Sequence, residues 1–399
     1  MILKKGFPSE KAYLVFLSLT AATPPLATDM YLASVPRIAE YWSVPVSTVN
    51  LSLVLFFPAF SVCMLIYGPL SDRIGRRPVL LGGLAMFALS TFLLSITANV
   101  WQLIALRVLQ GASSAAPSSM VMAIARDRYS GEKRKTALAY LGVILAVVPM
   151  VAPMTGTLVL KFGNWRHIFI TQAVLACMSF IMSLKYEETA EELTKGGFFT
   201  VAGKYLGLFK NREYMLTAVV MGFMLSPFYG FIAVSPVVYI QEFGLPEYIF
   251  SLAFGFTAFS AMQGSLVSAK LSGRVSAKNV ISISIALCAF AGFVILVAGG
   301  VSPWIFAISM GLFAFSAGFS RPVSQSLVLE QVERDIGTAS SFMVFLQFFI
   351  GGFAMWGVTR AWDSHITAYG ILAFTAPVIV FLLWRSVIPL LEKRGTMIN

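Results

Sequence analysis

Charge is almost excluded from twelve stretches of this chain, and that exclusion governs what it can fold into. Apolar runs cover residues 12–34, 47–68, 79–98, 101–126, 136–160, 166–184, 214–240, 248–269, 279–298, 303–329, 337–359 and 366–390. A helix needs about 20 such residues to cross the hydrocarbon of a bilayer. In hydrocarbon every backbone N–H and C=O must be paired inside the protein, so only helices and closed barrels span it. These runs are continuous rather than alternating, which excludes a β-barrel. Only 12% of the 399 residues are charged, about half of what a soluble surface of this size requires. The fold class is therefore an all-α polytopic membrane protein with twelve transmembrane helices.

The basic residues give the orientation. Of 29 Lys and Arg, 23 fall at the N-terminus, the C-terminus or the even-to-odd connections between runs. Only Arg37, Lys161, Arg166 and Arg360 fall on the other side. Cytoplasmic loops hold the excess of Lys and Arg, so both termini are expected in the cytoplasm. The net charge of +11 is accounted for by these loops and does not point to nucleic acid. Lys4, Lys5 and Lys11 precede a first run of about 20 residues, longer than the apolar core of a signal peptide. That run reads as a retained span.

Residues 69–79 and 270–280 align, with Leu, Ser, Arg and Val at the same offset, each copy following an even-numbered span. Parallel repeats of this kind build transporters whose binding site lies between the halves. The expected organisation is a six-helix bundle over 1–184, a cytoplasmic linker over 185–213, and a second pseudo-symmetric six-helix bundle over 214–399. The linker carries Glu187, Glu188, Glu191, Glu192 and Gly196-Gly197, then a basic amphipathic piece around Lys204–Arg212.

Few residues in the runs can carry chemistry. Three cysteines, all within apolar runs, and two histidines supply neither a metal centre nor a His-based triad. No nucleophile–base constellation is present, so an enzyme is not expected, and neither is a cofactor. Asp29 is the carboxylate inside a run. A charge there costs about 2.5–3.5 kcal/mol by insertion scales, so it faces a cavity or a partner, or else sits near enough to the interface to be solvated. Arg107 lies about 9 Å from the outer end of span four, and Asp29 about as far from that of span one. The matched depth invites pairing or a shared water cavity, in a purely structural or a proton-coupling role. Gln110, Gly111 and Ser114 extend the Arg107 face.

In the loop Gly68-Pro-Leu-Ser-Asp-Arg-Ile-Gly-Arg-Arg-Pro78, Asp72, Arg73 and Arg76 suit ion pairing, with Arg76 able to reach Asp127. Such pairs gate a conformational change or simply anchor the loop. Among the aromatic and amide side chains, Phe228, Tyr229, Gln263 and Gln347 join Asp29, Gln110 and Ser114 as candidate substrate contacts. The amides are included because hydrocarbon would leave them unpaired. Arg321, before Pro322 in span ten, either lines a cavity wall or snorkels to the interface.

These motifs resemble the major facilitator superfamily. The Gly68–Arg77 loop is similar to its signature between helices two and three. Arg107 with Gln110-Gly111 is similar to the helix-four motif associated with proton coupling. Ala152-Pro-Met-Thr-Gly156 resembles the helix-five antiporter motif, with Ala152 and Thr157 where that pattern has Gly. Asp29-Met-Tyr-Leu-Ala-Ser-Val-Pro36 and Trp165-Arg-His-Ile-Phe169 resemble the Bcr/CflA branch of bicyclomycin and chloramphenicol exporters. The resemblance implies a monomer of the bacterial inner membrane, surrounded by lipid, that exports lipophilic drugs in exchange for protons by alternating access. Asp29 and Arg107 would be its coupling residues. Some multidrug relatives carry a second carboxylate two turns earlier in helix one. Ala21-Ala22 stands there in this chain, which points to neutral substrates. The alternative on the same fold is a symporter or exporter of a metabolite such as a sugar or nucleoside, since fold does not fix function.

Overall fold

The computed structural model describes residues 9–190 and 198–393. Lys4 and Lys5 of the basic N-terminus, Arg394, and Glu191, Glu192, Lys195 and Gly196-Gly197 of the linker lie outside the described residues. The chain divides into two units, Met1–Phe198 and Phe199–Asn399, with the boundary inside residues 185–213.

All regular structure among the described residues is helical. The first unit holds α1 (Glu10–Asp29), α2 (Val35–Trp42), α3 (Val46–Ile74), α4 (Arg76–Ser95), α5 (Val100–Arg128), α6 (Gly131–Phe162) and α7 (Trp165–Leu184). The second holds α8 (Phe198–Lys210), α9 (Arg212–Pro236), α10 (Glu247–Leu271), α11 (Ala277–Ala298), α12 (Pro303–Leu329), α13 (Ile336–Val358) and α14 (His365–Lys393). Twelve of these are long, and ten are apolar enough over their length to cross a membrane. The two long helices that fall short are α1 and α5, which carry Asp29 and Arg107.

Local chemistry sets the helix starts. The side chains of Asn99, Asn211 and Ser276 accept hydrogen bonds from backbone N–H groups of α5, α9 and α11. Asn164 and His167 close a reciprocal cap on α7. Each satisfies donors that a helix leaves orphaned at its first turn. The apolar run 12–34 is not one helix. The α-helix ends at Asp29, a 3₁₀ turn follows at Leu32–Ser34, and α2 starts with Pro36 in its first turn. Proline disfavours helical backbone in the residue before it but is tolerated at a helix start, so the chain re-initiates there.

Burial is inverted relative to a soluble protein. Leu89, Val297 and Ile308 are exposed, whereas Thr20 and Ser179 are buried and hydrogen-bonded to each other at 2.7 Å. Against lipid there is no hydrophobic gain from hiding leucine, so small and polar side chains occupy the helix contacts. Each unit packs the same pairs. Its second long helix lies on its fourth, its third on its sixth, and its first on its fifth (α3·α5, α4·α7 and α1·α6; α10·α12, α11·α14 and α9·α13). The repeat seen in the loop sequences thus extends to the packing within each unit.

Candidate functional site

The first unit buries a polar network at the end of α1. The last carbonyls of a helix have no partner within it. The Met30 N–H bonds to Leu26 O and the Tyr31 N–H to Thr28 O. Ala27 O is met by Arg107, whose Nη1 donates to it at 2.9 Å and to Gln110 Oε1 at 2.5 Å. A cation at the negative end of a helix is electrostatically favoured. The guanidinium is fully buried and lies over the rings of Tyr31 and Phe56, at 4.6 and 4.7 Å from their centroids. Ring faces attract cations, and here they stand beside Nε and Nη2, which have no hydrogen-bond partner among the described residues.

Gln110 carries the network onward, donating to Thr91 Oγ1 at 2.8 Å and Gln172 Oε1 at 3.4 Å, and Gln172 donates back to Leu26 O at 3.0 Å. Tyr31 OH pairs with Ser52 Oγ at 2.9 Å. Helices α1, α3, α4, α5 and α7 therefore meet at one polar centre. Thr91 and Gln172 are functional candidates that sequence reasoning passed over. Gln172 gave the same signal as Gln110, an amide within an apolar run.

Asp29 sits beside this network with 5% of its surface exposed, so it is not a solvated interfacial residue. Its Oδ1 accepts from Thr28 Oγ1 at 2.8 Å. No hydrogen bond or ion pair joins it to Arg107 among the described residues. Depth matched the two residues, but the arginine reaches the α1 backbone two residues before Asp29 rather than the carboxylate. On the other side of Asp29, α6 packs tightly. A Cβ on Gly156 would fall 2.2 Å from Met30 O, so only glycine lets the antiporter-like segment approach the residue after Asp29.

The α3–α4 turn forms a second cluster. Arg76 pairs with Asp72, and its Nε donates to Asp127 Oδ2 at 3.0 Å. Its Nη1 also donates to Ser71 Oγ at 2.5 Å. No hydrogen bond or ion pair ties Arg73 to this cluster among the described residues. The sequence did not anticipate Glu188 here. Its two oxygens accept the backbone N–H groups of Arg76 and Arg77 at the start of α4, each at 2.9 Å, and Oε1 accepts those of Thr189 and Ala190 at 3.0 Å. Gly75 makes room, with φ +99° and a Cβ position 2.3 Å from Glu188 Oε2. Partial burial works to raise the Glu188 carboxyl. The four backbone N–H groups outweigh it and hold the group below the usual carboxylate range.

The remaining candidates are dispersed. Ser114 is fully buried and donates to Gly111 O at 2.8 Å, within its own helix. Phe228 and Tyr229 form an edge-to-face pair at 6.3 Å, and Tyr229 contacts Phe348 at 5.2 Å. Gln263 is half-buried on α10. Gln347 lines a pocket within the second unit together with Met221, Met224, Leu225, Arg321 and Ser324. No group of three or more His, Cys, Asp or Glu side chains placed to hold a metal occurs among the described residues.

Comparison with known proteins gives a consistent picture. The Major Facilitator Superfamily pattern matches residues 17–355. The uncharacterized MFS-type transporter YdgK of Bacillus subtilis is 30% identical over 352 residues, covering 86% of this chain and 87% of its own. A bicyclomycin resistance protein homolog of Haemophilus influenzae is 24% identical, covering 85% and 86%. The chloramphenicol resistance protein CraA of Acinetobacter baumannii is 25% identical, covering 88% of each chain. In fold, the chain matches the crystal structure of a D-xylose–proton symporter with a TM-score of 0.73 at 14% identity, over 93% of this chain and 97% of that one. A multi-pass membrane protein and a transporter rather than an enzyme, the chain belongs to the Major Facilitator Superfamily.

Proposed function

We propose that the protein exports small lipophilic, neutral drugs in exchange for protons by alternating access, with Asp29 as the proton carrier. The observation that carries this reading is the environment of the Asp29 carboxyl, buried and facing one hydroxyl at 2.8 Å. A hydroxyl donates to a carboxylate and accepts from a carboxylic acid, so Thr28 suits both protonation states. Arg107 is engaged by Ala27 O and Gln110 rather than by Asp29. The carboxyl is therefore not locked as the anion of a salt bridge, and it can gain and lose a proton while Arg107 stays in place.

In this reading Asp29 takes a proton from the outside as substrate leaves, and gives it up inside. Arg107, held against the last turn of α1, transmits the change at Asp29 to α5. Asp72, Arg73, Arg76 and Asp127 gate the transition at the cytoplasmic side of the bacterial inner membrane, where both termini lie, and the working unit is a monomer in lipid. The Arg76 pairs fix the α3–α4 turn in one state and release it in the other. The names of the resistance relatives support antibiotics as substrates.

Proteoliposomes carrying a pH gradient test the assignment. The parent should accumulate bicyclomycin or chloramphenicol against its gradient with a matching proton flux, and Asp29→Asn should transport only downhill. If Asp29→Asn accumulates drug as the parent does, Asp29 is not the carrier.

A further inference from the structure

Helix α8 is too short to cross a bilayer, yet it keeps apolar side chains uncovered. Its 13 residues extend about 20 Å at the α-helical rise, against about 30 Å of hydrocarbon. Tyr205 and Leu208 turn inward, with Leu208 only 6% exposed. Leu206 and Phe209 remain 64% and 56% exposed. Gly203, Leu206, Gly207 and Lys210 recur at three- and four-residue spacing, so they share the outward face. A Cβ on either glycine would meet nothing within 4 Å. Among the described residues, nothing covers this face.

The fold sets α8 at the level where the membrane begins. One residue, Asn211, separates it from α9, which is long and apolar enough to span. Asn211 holds the turn, donating from Nδ2 to Gln331 O at 2.8 Å and accepting from the Tyr214 N–H at 3.0 Å. The rings of Tyr205 and Phe209 meet that of Phe342, at 6.2 and 5.2 Å between centroids. Phe342 stands six residues inside the spanning helix α13, about 9 Å along its axis. Interfacial amphipathic helices sink their apolar face about 5–10 Å into the boundary between head groups and acyl chains. Phe209 is held at that depth.

Charge selects the occupant. Lys204 is committed to Asp335 at 2.6 Å. Lys210 and Arg212 are exposed, and no hydrogen bond or ion pair holds either among the described residues. Lys210 suits the carbonyl end of α8, but Arg212 opens α9, where the helix dipole disfavours a cation. Basic residues next to a spanning helix attract anionic lipid. Two cations beside two uncovered apolar side chains match a phosphate head group carried on acyl chains.

We infer that α8 is an interfacial helix that binds anionic phospholipid at the bilayer surface where α9 enters. Lys210 and Arg212 hold the phosphate, and Leu206 and Phe209 lie among the upper acyl chains. The contact depends neither on drug export nor on Asp29.

The test is lipid binding to the purified full-length protein in detergent, read by native mass spectrometry. The probes are phosphatidylglycerol, phosphatidylcholine and inorganic phosphate. The wild type should retain phosphatidylglycerol in preference to phosphatidylcholine. Each basic residue near a membrane surface changes binding about fivefold. Lys210→Gln/Arg212→Gln should therefore weaken the tightest-bound phosphatidylglycerol about 30-fold and leave phosphatidylcholine unchanged. Lys210→Arg/Arg212→Lys should bind as the wild type does, and Leu206→Ser should weaken both lipids. Lys133→Gln/Lys135→Gln removes the same charge from the first turn of α6 and should have no effect. All these side chains are exposed, so the variants keep the fold. The inference is overturned if the wild type retains the two lipids equally, or if inorganic phosphate displaces phosphatidylglycerol at equal concentration. It is equally overturned if Lys133→Gln/Lys135→Gln weakens phosphatidylglycerol as much as the α8 pair does, since net charge alone would then attract the lipid.

Discussion

Replacing Glu188 by alanine probes how firmly the segment after α7 is fastened to the start of α4. The carboxylate accepts four backbone N–H groups, but only those of Arg76 and Arg77 cross between the two segments. A hydrogen bond to a charged group contributes about 1.5–3 kcal/mol when buried, and a carboxylate at a helix N-terminus about 0.3–1 kcal/mol more. Glu188 is only partly buried, so water recovers much of this in the variant. A net loss of about 2 kcal/mol is the expected result, a factor of about 30 in the opening equilibrium. Hydrogen exchange read by mass spectrometry on the detergent-solubilised protein measures it directly. Amides at Arg76 and Arg77 and at 186–190 should exchange about 30-fold faster, while the interior of α7 stays unchanged. Glu188→Gln, which keeps an acceptor but not the charge, should fall between. Exchange at Arg76 and Arg77 that stays within about twofold of the parent would show that the carboxylate fastens nothing.

The same contact has a pH signature. Its carboxyl is held below the ordinary range, so its contribution is present above the unfolded value of about 4.3. That contribution is lost only as pH falls through the lowered folded value, and intrinsic-rate-corrected exchange at Arg76 should be flat from neutral pH down to about 5. Gly156→Ala places a methyl 2.2 Å from Met30 O. It should cost about 1–3 kcal/mol as overpacking, seen as a lower melting temperature in detergent together with slower transport. Arg107→Lys retains the charge but not the planar fork that reaches both Ala27 O and Gln110. A loss of about 1–3 kcal/mol follows, and a melting temperature equal to the parent's would refute the account of the α1 terminus given above.

Much of the architecture was legible because its causes are local. A run of apolar residues excludes water-exposed backbone wherever it lies, so the spans could be read along the chain. Pro36 marks the re-initiation of helix after Asp29, but the break at Met30 itself was hidden inside a run that stays apolar to residue 34. The α3–α4 turn was legible for a similar reason. Asp72 and Arg76 are four residues apart, on either side of the break at Gly75, and pair locally, and Asp127 was within reach at the end of α5. Glu188 was not legible as part of that turn. It follows Arg76 by 112 residues and looks in sequence like any other acid in a charged linker.

Counting about 1.5 Å per helical residue to the end of the first apolar run does not give the depth of Asp29, because α1 ends at Asp29 itself. The sequence alone determined that an acid and an arginine lie within the apolar runs of the first bundle. It did not determine that Arg107 turns to the carbonyl end of α1 and leaves Asp29 to Thr28. Azimuth depends on which helices are neighbours and how each is rotated, and neither is encoded in any one segment. The packing of α1 against α5, α6 and α7 decided it. An unpaired carbonyl at a helix end then competed successfully for the guanidinium.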